Sequence, residues 1–307
     1  MDLSMTTPIS YLTIDFGGTF AKATVVDERG KIYADSLTLR PSHSEGTAEE
    51  ILGALQAVVA DGLAFSAHRG LSCAGIGICI PGPFDYQRGI SWMKHKFQGI
   101  EGMDLKRVLQ AQTGLPVCFM HDVNAVLAGE LAFGEAKDYA NVAVITLGTG
   151  LGFSFSQEGA IQTNAMGSPA LPIYNLPYGT GILEDYVSKR GFLRRYRELG
   201  GSDDTMLTVA KIGERATRGE AIARQTYRDV AQVLRACLQP ILTEKGIECL
   251  LFGGQIAKSF AWMRSEIESL LTTVPTLRKI AVVSDIDRAA VLGIFHGLQR
   301  QSEIMYV

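Results

Sequence analysis

The sequence predicts a duplicated, two-lobed α/β protein, on three observations. An apolar run at 11–14 that meets the glycine turn Asp15-Phe16-Gly17-Gly18-Thr19 returns far down the chain as 141–147 and Gly148-Thr149-Gly150-Leu151-Gly152. Each copy goes on to a second apolar run, a polar turn and a third run: 21–26, 27–30 and 31–33 in one, 153–155, 157–159 and 160–161 in the other. Beyond both copies, apolar strands alternate with amphipathic helices, the pattern of a mostly parallel sheet.

Taken in order, the first elements are a three-stranded meander, 11–14, 21–26 and 31–33. Ile51, Leu52, Leu55, Val58 and Val59 fall on one face and predict a helix over 48–59. A strand at 75–80 is then stopped by Pro81-Gly82-Pro83. A helix near 105–109 leads to a buried-type strand at 116–120 that ends at His121-Asp122, and a new helix starts from Asn124. The second meander is followed by a loop rich in Pro and Gly, 167–181, and by helices, the longest over about 220–242. Strand 248–252 runs into Gly253-Gly254, and a last strand at 280–283 precedes a helix over 287–300 with a small-residue packing face. No linker rich in Ser, Gly or charge separates the halves. The expected division is therefore a first lobe over 1–118, with the terminal helix 291–307 packing back on it, a second lobe over 119–290, and a cleft where they meet.

Composition removes several classes of function. Hydrophobic residues make up 47% and charged residues 20% of 307, ordinary for a folded globular chain and far from disordered or collagen-like composition. Lys and Arg (29) nearly balance Asp and Glu (32), so a net charge of −3 leaves no footprint for a phosphate backbone, and nucleic acid is not an expected partner. Five cysteines without a CxxC pair argue against a disulfide framework or zinc ribbon and for a reducing compartment. The start MDLSMTTPIS has neither a basic beginning nor an apolar core, and no apolar stretch comes near the roughly 20 residues that cross a bilayer. A cytoplasmic protein without a membrane partner is expected.

The turn at 15–19 puts a carboxylate at a strand end, followed by two glycines whose N–H groups can approach an anion closely. A triphosphate fits that geometry, with the carboxylate acting through a cation such as Mg²⁺ and its water shell. An ordinary hairpin turn fits the same residues. The turn at 148–152 reads the same two ways, being neither a Walker A loop nor a dinucleotide GxGxxG ahead of a helix. Two such turns in matching repeats favour phosphate, because accidental turns need not fall at equivalent positions.

Asp122 stands where a strand ends and a helix begins, the place where open α/β sheets present groups to ligands, and it can accept the proton of a substrate hydroxyl. The alternative is a helix cap, a job Asn124 can do alone, which leaves Asp122 free. Gly253-Gly254 either admits the flat face of a base or ribose or forms a tight turn with no ligand. The run Lys189, Arg190, Arg194, Arg195 and Arg197 reads as a solvated helix face, since it lacks interleaved aromatics. His43, His68, His95, His121 and His296 have no metal-ligand spacing and no cysteine partners, so no zinc site is expected.

With these residues in order, the chain resembles the ROK family of bacterial sugar kinases and related repressors, within the actin-like, sugar-kinase and Hsp70 ATPase fold, a ribonuclease H-like duplicated architecture. The resemblance runs from about residue 11 to 298. It is carried by the two glycine turns, Pro81-Gly82-Pro83, His121-Asp122-Val123-Asn124-Ala125, Gly181-Ile182-Leu183-Glu184-Asp185-Tyr186 and Gly253-Gly254. The family has Asn-Asp-x-Asn at 121–124, which implies that Asp122 is the general base on a sugar hydroxyl, with His121 and Asn124 beside it at the substrate. Glu184 is similar to the family's sugar-contacting Glu, and His95 or Lys96 stands where the family has a sugar-contacting Asn. ATP and Mg²⁺ are implied, on Asp15 (the metal through water), Gly17, Gly18, Thr19, Lys22, Gly148, Thr149, Gly150, Gly253 and Gly254, and so is a homodimer.

Two departures stand out. The family's zinc-binding signature, compared without gaps from Gly159, keeps Gly167 but has Leu171 for its Glu and Tyr174 for its His, and no cysteine follows before Gly181. The zinc is therefore expected to be absent and the sugar side to be rewritten, while the nucleotide side is intact. No helix-turn-helix precedes residue 11, which points away from the repressor branch. The resulting expectation is an ATP-dependent kinase acting on a hydroxyl of a hexose or hexose derivative. The alternatives are a non-catalytic sugar-binding or regulatory protein on a decayed kinase scaffold, and an ATPase or carboxylate kinase of the same fold.

Overall fold

The computed structural model describes residues 7–202 and 204–305, the last five by backbone alone. By its internal contacts the chain forms two compact units. One comprises 1–132, 163–168 and 290–307, and the other 133–162 and 169–289.

In the first unit, β1 (Ile9–Phe16) pairs antiparallel with β2 (Phe20–Asp27), and β2 with the edge strand β3 (Thr38–Pro41). Helix α1 (Ala48–His68) follows, opened by a capping box in which Thr47 and Glu50 exchange side-chain to backbone bonds. On the other side of β1 lie β4 (Ser72–Cys79) and, after the small hairpin of β5 (Phe84–Asp85) and β6 (Ile90–Ser91) and helix α2 (Leu105–Thr113), β7 (Val117–Met120), both parallel. The sheet order is β3-β2-β1-β4-β7. One face is filled by Ile51, Leu55, Val58 and Val59 of α1 against Ile14, Val25, Ile76 and Ile78. The other receives Val291, Ile294, Phe295 and Leu298 of the C-terminal helix, Ala289–Met305. Helix α3 (Asp122–Phe133) meets that helix so closely that a Cβ on Gly293 would fall 1.7 Å from the Ala125 carbonyl oxygen. The small-residue face thus seats backbone on backbone.

Three expectations change here. Residues 31–33 make only the isolated bridge between Val26 and Ile32, and the third strand is β3, because the 27–30 turn leads into a short 3-10 segment before the chain extends. The first unit continues to Ala132 where a break after 118 was expected, since β7 bonds to β4 and α3 packs on the C-terminal helix. Helix α1 has 21 residues and a stretch of mean hydropathy 1.4, long and apolar enough to cross a membrane by length and composition. That corrects the reading that no stretch comes near this size, although the apolar face of α1 is applied to the sheet.

The second unit repeats the design. β8 (Val142–Leu147) pairs antiparallel with β9 (Leu151–Gln157), which pairs with β10 (Ala160–Ile161). A ribbon of β11 (Pro177–Tyr178) and β12 (Gly181–Ile182) precedes helices α4 (Leu183–Val187), α5 (Lys189–Glu198), α6 (Val209–Thr217) and α7 (Ala221–Glu244). β13 (Cys249–Gly253), a 3-10 segment at Gln255–Trp262, the short helices α8 (Arg264–Glu268) and α9 (Leu270–Thr273), and β14 (Lys279–Val282) complete it. The order β10-β9-β8-β13-β14, with β13 parallel to β8 and to β14, matches the first sheet strand for strand and direction for direction.

Candidate active site

In the first unit the chemistry gathers where β1 and β7 end. The Gly17 N–H donates to the Phe20 carbonyl at 3.0 Å and closes the β1–β2 turn, leaving Asp15 opposite Lys22 in the strand register. Partial burial, then the charge of Asp122, push the Asp15 carboxyl above its ordinary value, and Lys22 only partly offsets this. Asp15 and Asp122 are thus electrostatic neighbours, and a cation would relieve both.

β7 delivers His121 and Asp122 to the first turn of α3. His121 Nδ1 stands 2.6 Å from Asp122 Oδ1, and the Val123 N–H donates to the same oxygen at 2.7 Å. Burial pushes the Asp122 carboxyl up, but the His121 charge, its hydrogen bond and the Val123 N–H prevail and hold it below the ordinary value of 3.8. Its side chain is 56% exposed, and Oδ2 has no partner among the described residues. Asn124 does not cap α3 as expected. It is buried in the first turns of the helix and donates from Nδ2 to the Gly167 carbonyl at 3.1 Å. That bond ties down the loop 163–168, where Gly167 lies against Tyr86, and the Tyr86 ring is 5.7 Å from that of His121.

Lys96 is directed to the glycine turn. Its Cδ and Nζ lie 3.3 Å from where a Cβ on Gly18 would stand. His95 is exposed and makes no hydrogen bond or ion pair among the described residues. Trp92, partly exposed, is fixed by its N–H to the Pro83 carbonyl at 3.0 Å.

In the second unit, Gly148 donates to the Gly150 carbonyl at 3.0 Å and accepts from the Lys189 N–H at 2.9 Å, so the turn rests on the N-terminus of α5. Nothing lies within 4 Å of where a Cβ on Gly148 would be, whereas one on Gly150 would meet Glu184 Oε2 at 2.8 Å. Glu184 is occupied within its own unit: Oε2 accepts from the Leu151 N–H at 2.9 Å and Oε1 from Arg190 at 2.9 Å. The basic run around it is not simply solvated, for Arg190 also meets Asp185, Arg195 meets Asp229 and Glu198, and Arg194 covers the Tyr186 ring. Gly254 makes a tight turn, with a Cβ there placed 2.4 Å from the Leu147 carbonyl oxygen. Beside Gly148 and Thr149 opens a cavity of about 710 Å³, reached also by Lys189, Thr208, Gln255 and Trp262. Sequence reasoning missed Thr208, Gln255 and Trp262, and read Lys189 only as part of a solvated helix face.

Two buried hydroxyls, Ser42 Oγ and Ser188 Oγ, have no hydrogen-bond partner among the described residues. Each stands behind a glycine turn: the Ser42 N–H donates to the Thr19 carbonyl, and Ser188 precedes Lys189, which donates to Gly148. In the second unit, the open backbone at Gly148, the Ser188 hydroxyl behind it and a cavity within the 300–1,000 Å³ range of small-molecule sites fit a nucleotide. Hard oxygen donors on Asp15 and Asp122 fit Mg²⁺, which takes one or two carboxylates and completes its shell with water and phosphate. Among the described residues no group of three or more His, Cys, Asp or Glu could hold a metal ion.

Residues 11–170 match the ROK family. The chain belongs to that family. Glucokinase of Streptomyces coelicolor is 27% identical over 267 residues, 80% of this chain and 81% of that one. A ROK family glucokinase from Streptomyces griseus, solved with glucose and AMPPNP, superposes with a TM-score of 0.76 at 24% identity, over 93% of this chain and 97% of the other. A ROK family transcriptional regulator, a homologue of the E. coli MLC protein, superposes with a TM-score of 0.83 at 18% identity over 95% and 78%. The fold is thus the actin-like, two-lobed α/β fold of ROK sugar kinases, and the chain is a carbohydrate kinase by family.

Proposed function

We propose that this ROK protein transfers the γ-phosphoryl group of ATP to a hydroxyl of a hexose or hexose derivative, with Asp122 as general base, in the cytoplasm. The observation that carries the reading is the state of Asp122, ionised at neutral pH, with one carboxylate oxygen fixed by His121 and Val123 and the other open. A base held in that way orients a hydroxyl and takes its proton as the oxygen attacks. Asp15, Gly17, Gly18, Thr19 and Lys22 on one turn, and Gly148, Thr149 and Gly150 on the other, are the candidates for the phosphates. Mg²⁺, when bound, neutralises phosphate charge, and Asp15 is the residue to hold its water shell. Asn124 supports the substrate side by fixing the Gly167 loop. Glu184, expected at the sugar, also braces the second turn by accepting from the Leu151 N–H.

The reading is tested by ATP consumption over hexoses, amino sugars and glycosides, with wild type and Asp122→Asn compared on the best substrate. Loss of general-base assistance lowers turnover by about 10² to 10⁴, with ATP affinity kept. Full turnover in the variant would remove Asp122 from the mechanism. A second reading, a sugar-binding regulator, is favoured by Leu171 and Tyr174 at the family's Glu and His positions. It would stand if wild type bound a sugar and transferred phosphate to none.

A further inference from the structure

Lys96 is one of the two residues, with His95, that stand where the resemblance puts a sugar-contacting amide, yet its side chain is laid on the glycine turn at Gly18. The cause is its neighbour. Phe97 has a left-handed backbone, φ 55° and ψ 28°, which costs a non-glycine residue energy unless its surroundings impose it. They do: the Phe97 ring is fully buried and stacks on Phe16 at 5.0 Å, and its N–H donates to the Ser44 carbonyl at 2.7 Å. Ser44 Oγ in turn donates to the Gly18 carbonyl. Phe97 is thereby pinned beneath the turn while Lys96 is carried over it, with Cδ and Nζ 3.3 Å from the Cβ position of Gly18 and Cε at 3.5 Å. Lys96 is exposed and has no hydrogen bond or ion pair among the described residues, so its ammonium is unspent. The same turn holds the orphaned Ser42 Oγ behind Thr19.

We propose that Lys96 is a ligand of the transferred phosphoryl group and not a sugar contact. The inference rests on the kinase reading above. In the transfer, the sugar oxygen bonds to the γ-phosphorus and its proton goes to Asp122. The bond from that phosphorus to the bridging oxygen breaks, its electron pair leaving on ADP. Lys96 donates hydrogen bonds to the γ-phosphoryl oxygens throughout and is unchanged at the end. Such a charge, fixed before the reaction, stabilises the transition state without reorganising.

Lys96→Met and Lys96→Arg test this against Mg-AMPPNP and Mg-ADP by calorimetry, and by initial rates on the best sugar. In Lys96→Met, AMPPNP affinity falls by about tenfold and kcat by about 10², ADP affinity and sugar KM stay near wild type, and Lys96→Arg recovers part of both losses. Equal loss for both nucleotides, or no change in AMPPNP affinity and kcat, overturns the proposal. A loss confined to sugar KM overturns it in favour of a substrate anion. A wild type that binds neither nucleotide refutes the kinase reading itself, and is told apart by that arm alone.

Discussion

His121 Nδ1 lies 2.6 Å from Asp122 Oδ1, so the residue that differs from the family's Asn-Asp pair sets the ionisation of the proposed base. The Asp122 pKa is depressed, and the base is lost only as pH falls below the ordinary value of 3.8. In His121→Asn the charge and the short bond that hold the carboxyl down are gone, so the acid limb of the kcat/KM profile moves to higher pH. An unmoved limb would mean that His121 does not tune Asp122.

Asp15 carries the opposite sign. Its folded pKa is raised by burial and by Asp122, so its ionised form is penalised. For such a carboxyl, stability falls as pH rises from the unfolded value of 3.8 through the higher folded value, and the full penalty persists at neutral pH. Asp15→Asn therefore melts higher than wild type at pH 7, an advantage that fades below the ordinary carboxylate range, while Mg-AMPPNP binding is lost. A lower Tm at pH 7 would contradict the electrostatic account.

The glycines of the second turn differ in what they protect. Gly148 faces open space, so Gly148→Ala leaves Tm unchanged and weakens Mg-AMPPNP by about tenfold or more, the cost of one charge-assisted hydrogen bond. Gly150→Ala must displace Glu184 Oε2, 2.8 Å away, and lowers Tm as well. Equal melting and binding in the two variants would remove the distinction.

Gly254 has φ 78° and meets the Leu147 carbonyl oxygen at 2.4 Å from its Cβ position. Gly254→Ala costs about 2–4 kcal/mol through overlap and backbone strain, read as a large drop in urea midpoint. A near-neutral result would show that the close approach of β13 and β8 is soft.

The segment 164–181 has no His or Cys, so the purified protein is expected to carry no stoichiometric zinc. Elemental analysis of the chain, before and after chelation, checks this, and one tightly held zinc per chain would refute it.

Duplication and turn chemistry are local, and so the matched glycine turns, the strand stop at Asp122 and most elements could be read from the chain. What escaped was decided by neighbours distant in sequence. Asn124 has the residue type of a cap, but its amide is claimed by Gly167, and Asp122 bonds Val123 itself. Glu184 has the residue type of a sugar contact, and its bonds to the Leu151 N–H and Arg190 depend on partners that its own segment does not announce. Lys96 follows the left-handed Phe97, whose conformation depends on Phe16 and Ser44 in separate elements. The third strand was misplaced because 31–33 is as apolar as 38–41, and only pairing chose between them.

The chain passes between its two units four times, at 132/133, 162/163, 168/169 and 289/290. No single proteolytic cut can therefore release either unit whole, and no single genetic crossover can exchange one for that of a relative. The hexapeptide carrying Gly167 is the tightest case: it is encoded inside the second unit yet bonded to Asn124 of the first. A recombinant that swaps 133–289 as one block imports a foreign loop against its own Asn124. Change on the sugar side must then come residue by residue, through substitutions that keep this contact.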